Sequence, residues 1–164
     1  MSFMFRSVPR IVCEAGGIAK AGPLMQELGA TRVTIICDPG IIALGFADQA
    51  QKSLESVGIA VQVFSDVAAD PPQHIVQQAI DEAKDWQADG VIGLGGGSSL
   101  DSAKLVALLV NSDQTIEEIY GIDKASGDRL PLIRSPPWSG SGSEVGDRRL
   151  LCRCHKSLRW FGRY

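Results

Sequence analysis

A chain of 164 residues, 45% of them hydrophobic, can bury one core of ordinary domain size. Cys13, Cys37, Cys152 and Cys154 lack the spacing of a disulfide framework, no apolar stretch approaches bilayer-spanning length, and residues 1–10 contain no secretion-signal core; a reducing, cytoplasmic setting is the expectation. Net charge divides sharply, −8 over residues 1–145 and +5 over residues 146–164 against −3 overall, and the acidic body argues against nonspecific nucleic-acid binding.

Short apolar runs alternate with longer amphipathic ones, the pattern of parallel strands joined by crossover helices. A strand is expected at residues 11–13 and a helix at 19–28, stopped by Gly29. Cys13 and Cys37 fall in strand-like apolar segments, where small thiols are commonly buried. The next strand, 33–37, meets Asp38-Pro39-Gly40 and a helix over 41–56, with Gly58 as its stop. A strand at 60–64 leads through residues 65–71 to a helix at 72–87. That helix opens on Pro72, carries Ile75, Val76, Ala79, Ile80 and Ala83 on one side, and is expected to stop by Gly90. His74 in its first turn reads as a solvated or capping residue. A strand at 90–94, a helix at 98–110, a short helix near 116–120 and a strand at 130–133 complete the series. The predicted class is α/β, a Rossmann-like parallel sheet with helices on both faces.

The feature richest in chemistry is Gly95-Gly96-Gly97-Ser98-Ser99-Leu100-Asp101-Ser102-Ala103-Lys104, which follows an apolar strand and opens a helix. Glycines let the backbone approach a ligand closely, and a helix start presents unsatisfied N–H groups and a positive dipole end, which suits a phosphate or pyrophosphate. Ser98 and Asp101 have the spacing of a capping box. The spacing is neither Gly-x-Gly-x-x-Gly nor that of a Walker loop, so the pattern leaves the nucleotide open, and a strand-to-helix turn made only for packing is the alternative. In such sheets ligands bind at the carboxyl ends of the strands. Asp38 is therefore placed to accept from ribose hydroxyls, or equally to act as a turn residue or helix cap.

Cys37-Asp38-Pro39-Gly40, Asp70-Pro71, the element from Gly95 to Lys104, and Gly140-Ser141-Gly142-Ser143-Glu144-Val145 occur in one order, and together they resemble the iron-containing alcohol dehydrogenase family. Glycerol dehydrogenases and dehydroquinate synthases share the wider fold. The resemblance implies an NAD-binding domain over residues 1–145. In the complete enzyme a carboxy-terminal helical domain holds iron or zinc through an aspartate and three histidines, and that domain is expected to be missing here. Carried over by position, Asp38 binds the adenosine ribose and favours NAD over NADP. Gly96, Gly97 and Ser98 hold the pyrophosphate, Gly95 belongs to the same cofactor-binding loop, and Asp101 orders that loop from the first helical turn. Asp70 stands where the family commonly has an asparagine, towards the nicotinamide end.

The implied reaction moves a hydride between a small primary or secondary alcohol, or its aldehyde, and NAD with metal assistance. The chain alone is expected to be inactive, a nucleotide-binding fragment prone to self-association through an uncovered domain face. Pro137 and Trp138 replace the family's paired threonines, with Trp138 either stacking on adenine or blocking the site. Residues 146–164, which contain Cys152-x-Cys154-His155 as a weak metal-like cluster, match neither the acidic balance nor the strand pattern of the body. A shifted reading frame is the expected origin of this segment; a genuine basic tail that binds nucleic acid is the alternative.

Overall fold

The computed structural model describes residues 10–121 and 124–136, together with the backbone of two short strands at Leu151–Cys154 and Ser157–Trp160. Pro137, Trp138, the segment from Gly140 to Val145, and His155 lie outside the described residues.

Four parallel strands form the sheet: β1 (Arg32–Cys37), β2 (Ala60–Phe64), β3 (Gly90–Leu94) and β4 (Leu132–Ser135), in the order β2-β1-β3-β4. Helices α1 (Ala21–Glu27), α2 (Pro39–Ala43), α3 (Phe46–Glu55), α4 (Gln73–Asp85) and α5 (Gly97–Leu109) connect them. Because side chains alternate across a strand, β1 sends Val33, Ile35 and Cys37 into one core with α1, α2 and α3, and Ile36 into another with α4 and α5. Strand β3 divides likewise, Ile92 and Leu94 to the first core and Val91 to the second. Both faces are covered, as parallel strands require, and the predicted α/β Rossmann-like class holds. Helix α4 buries Val76, Ala79, Ile80 and Ala83, the stripe its spacing predicts, with Ile75 partly buried beside them.

Several elements differ from expectation. Residues 11–13 form no strand; Ile11 is 68% exposed and Cys13 is exposed, so this apolar run lacks a described neighbour to pair with. Cys37, at the end of a central strand, is buried as expected. The helix expected over 41–56 is two helices, because Gly45 at φ +74° closes α2 and opens α3. The first helix begins as a tight 3₁₀ turn over Gly17–Lys20 before α1. Gln87 at φ +58° terminates α4, whereas Gly90 begins β3, where a Cβ would lie 2.8 Å from that of Ala30. Residues 116–119 form turns and not a helix, and the last sheet strand starts at Leu132. The basic tail, which does not share the strand pattern of the body, contains a separate antiparallel pair, β5 (Leu151–Cys154) and β6 (Ser157–Trp160).

Helix α5 lies very close to β3. A Cβ at Gly93 would stand 2.7 Å from that of Ala103 and 3.3 Å from the Leu100 Cα, so this interior glycine lets the helix settle on the sheet.

Candidate nucleotide-binding site

The strand order places a topological switch between β1 and β3, where the chain leaves towards opposite faces through α2 and α5. The parallel register pairs Cys37 with Leu94, so the next residues, Asp38 and Gly95, emerge side by side at the sheet's carboxyl edge. Gly95 has φ +135°, a conformation that L side chains rarely adopt, and its N–H donates to the Ser135 carbonyl oxygen at the end of β4 (3.3 Å).

Asp38 is gripped at both oxygens. Oδ1 accepts from the Ile41 N–H (3.2 Å), capping α2 ahead of Pro39 at its first position. Oδ2 accepts from the Ser99 hydroxyl (3.3 Å), a contact from α5 that the sequence reading missed. The only prior signal for it was a second serine beside the glycines. Asp38 is thus a helix cap whose second oxygen stands at the switch point.

Helix α5 starts earlier than the capping-box spacing implies. Gly96, extended at φ −75° and ψ −174°, occupies the cap position with no side-chain bond, and Gly97 is the first helical residue. Leu100 N–H closes the first helical turn on the Gly96 carbonyl (3.1 Å), so the N–H groups of Gly97, Ser98 and Ser99 have no carbonyl within the helix to reach. A Cβ at Gly96 would meet nothing within 4 Å, which marks open space beside these donors. The register shift moves Asp101 out of the first turn, where it pairs with Lys104 (2.9 Å), both largely buried. The expected Ser98–Asp101 box therefore does not form at this helix start. The Ser98 hydroxyl instead accepts from the Asp70 N–H (3.3 Å).

Asp70 reaches this point because the loop after β2, pinned by buried Val67, returns across the carboxyl edge of the sheet. Its φ of +47° is a left-handed value that aspartate tolerates better than most side chains. Of the candidate residues, Asp38, Gly95, Gly96, Gly97, Ser98 and Asp70 converge on one edge; Asp101 lies a turn further along α5, bound to Lys104. The attraction for an anion comes from backbone N–H groups and the α5 dipole. Burial, reinforced by the neighbouring Asp38 carboxylate, pushes the Cys37 thiol up to about 12, leaving a neutral group behind the cleft. Among the described residues no group of three or more His, Cys, Asp or Glu side chains could hold a metal ion, and no described helix is long and apolar enough to cross a membrane.

A family model described as iron-containing alcohol dehydrogenase matches residues 9–152, beyond Val145 where the motif resemblance ends. The chain is 37% identical over 139 residues to a long-chain-alcohol dehydrogenase of Geobacillus thermodenitrificans, covering 83% of this chain and 35% of that protein. It is 32% identical over 151 residues to a sulfoacetaldehyde reductase of Bilophila wadsworthia, covering 92% and 39%. Among solved structures, an NADH-dependent butanol dehydrogenase of Thermotoga maritima superposes with a TM-score of 0.78 at 32% identity, covering 88% of this chain and 37% of that one. A sulfoacetaldehyde reductase of Bifidobacterium kashiwanohense in complex with NAD⁺ gives 0.69 at 25% identity, covering 80% and 35%. The chain therefore spans less than two fifths of the length of these relatives.

Proposed function

Since the chain belongs to the iron-containing alcohol dehydrogenase family, we propose that its cleft between β1 and β3 is the NAD-binding half of an oxidoreductase acting on small alcohols or aldehydes. The observation that carries this reading is the juxtaposition of the Asp38 carboxylate with the N-terminus of α5 across Gly95. In it the backbone N–H groups of Gly97, Ser98 and Ser99 bind the pyrophosphate. The Ser98 hydroxyl, which accepts from Asp70, directs its own proton to a phosphate oxygen. Asp38 accepts from the adenosine ribose hydroxyls, and its charge disfavours a 2′-phosphate there.

Bound NAD⁺ supplies a hydride acceptor at its nicotinamide ring. The described residues bind and orient the nucleotide. They do not offer a donor set for iron or zinc, so no step through a metal is derived from them. Within this reading the chain by itself holds nucleotide without oxidising alcohols, since the proposed reaction relies on a metal to polarise the alcohol oxygen and the described residues present no cluster to hold one.

Calorimetric titration of NAD⁺ and NADH into the chain tests the site, with Asp38→Ala and Gly97→Val as controls. Saturable binding that weakens in both controls is expected; no binding to a folded chain would overturn the reading. Reduction of NAD⁺ with ethanol, propanol, butanol or 1,2-propanediol that depends on added Fe²⁺ would overturn the inactivity of the isolated chain.

A further inference from the structure

We infer that Ser99 is the positioning residue for nucleotide selectivity: by donating its hydroxyl proton to Asp38 Oδ2 it fixes the carboxylate that separates a free ribose from a 2′-phosphorylated one. The inference rests on the nucleotide-binding reading and deepens it.

The carboxylate sits in a slot between two glycines. A Cβ at Gly40 would approach Oδ1 to 2.9 Å, and one at Gly95 would approach Oδ2 to 2.7 Å and the Ser99 Oγ to 2.9 Å. Within that slot Oδ1 is held by the Ile41 N–H and Oδ2 by the Ser99 hydroxyl. Ser99 is 1% exposed and belongs to α5, so its hydroxyl is carried on a rigid element that also presents the proposed pyrophosphate donors. A carboxylate oxygen can accept more than one bond, so Oδ2 keeps capacity for a ribose hydroxyl while Ser99 holds it. Fixed in this way, the negative charge cannot swing from an incoming phosphate, and discrimination follows from that rigidity. Without the Ser99 bond the carboxylate keeps, among the described residues, its α2 contact alone and can rotate aside.

The test measures binding of ADP-ribose and of its 2′-phosphate to the full chain by calorimetry, probes that need only the adenosine end of the site. Ser99→Thr retains the hydroxyl and Ser99→Val matches its shape without it, so their difference isolates the hydrogen bond from packing. Ser99→Ala, which adds no volume, makes the same comparison with wild type if the branched pair disturbs α5. The wild type and Ser99→Thr are expected to prefer ADP-ribose. Ser99→Val and Ser99→Ala should lower that preference about tenfold, the scale of one hydrogen bond to a charged group. In an Asp38→Ala background the loss of the Ser99 hydroxyl should change the preference no further, an outcome that a purely structural role would not produce. A preference lost in Asp38→Ala but unchanged without the Ser99 hydroxyl would overturn the role of Ser99 and leave the nucleotide site standing. A preference that Asp38→Ala does not alter would overturn both.

Discussion

The Asp70 N–H donates to the Ser98 hydroxyl across 3.3 Å, joining the loop after β2 to the first turn of α5. Two segments far apart in sequence thereby form one wall of the cleft. Ser98→Ala removes both this acceptor and the proposed phosphate donor. NAD⁺ affinity should fall about tenfold or more, the worth of one hydrogen bond to a charged group, with little change in melting temperature because Ser98 is only partly buried. Calorimetry beside a thermal melt separates the two effects; an equal loss of stability and binding would count against a ligand role.

Gly93→Ala should loosen the packing of α5 on β3. The added methyl would lie 2.7 Å from the Ala103 Cβ, and neither the strand nor the helix backbone can yield cheaply. Overpacking of this kind costs about 1–3 kcal/mol, to be read from urea unfolding. Ala103→Gly should recover part of the loss in the double variant if the two positions are coupled as the geometry requires.

Asp89 staples the opposite edge of the sheet. Its carboxylate accepts from the Thr31 N–H (2.9 Å), the Thr31 hydroxyl (2.6 Å) and the Arg32 N–H (2.7 Å). Burial alone would push this carboxyl up, but bonds from Thr31 and Arg32 outweigh it and hold the group below the usual carboxylate range. The folded form therefore favours the charged state. Its stabilisation is present above the unfolded-chain pKa of about 4 and is lost as pH falls through the depressed folded value. Asp89→Asn should lower stability at pH 7 by about 1–2 kcal/mol, and the gap from wild type should close in acid. Denaturation curves at neutral pH and near pH 2 decide it; a gap independent of pH would contradict this account.

Cys13 and Cys37 should differ in reactivity. Cys13 is exposed, whereas the Cys37 thiol is buried and pushed up to about 12. Since the thiolate is the nucleophile, iodoacetamide at pH 8 should label Cys13 in the native chain and reach Cys37 only after unfolding. Peptide mass spectrometry after a timed pulse gives the answer directly.

Much of the fold was legible locally. The apolar runs at 33–37, 60–64 and 90–94 needed only their composition and bounding turns, and the α4 stripe needed only its helical spacing. The failures occurred where a local signal had two meanings. Gly45 sits inside an otherwise helical pattern, and only its left-handed φ shows that it divides α2 from α3. Gly90 looked like a helix stop, yet its lack of a side chain serves close packing against Ala30, while Gln87 supplies the left-handed turn. Residues 11–13 have strand composition, but strand formation needs a hydrogen-bonding neighbour as well as apolar side chains.

What the sequence determined by itself was the succession of elements and the glycine-rich helix start, because backbone preference and hydrophobic period act over a few residues. It also carried the family, through motifs kept in order. Only the tertiary structure decided that Asp38 should face Ser99 across Gly95. That contact depends on β1 and β3 lying side by side in one register, with Cys37 against Leu94, and strand pairing between distant segments is settled by packing of the whole sheet. It likewise decided that Gly96, and not Ser98, caps the start of α5. The open backbone there is set by how the helix docks on β3 at Gly93, a condition no short stretch of sequence contains.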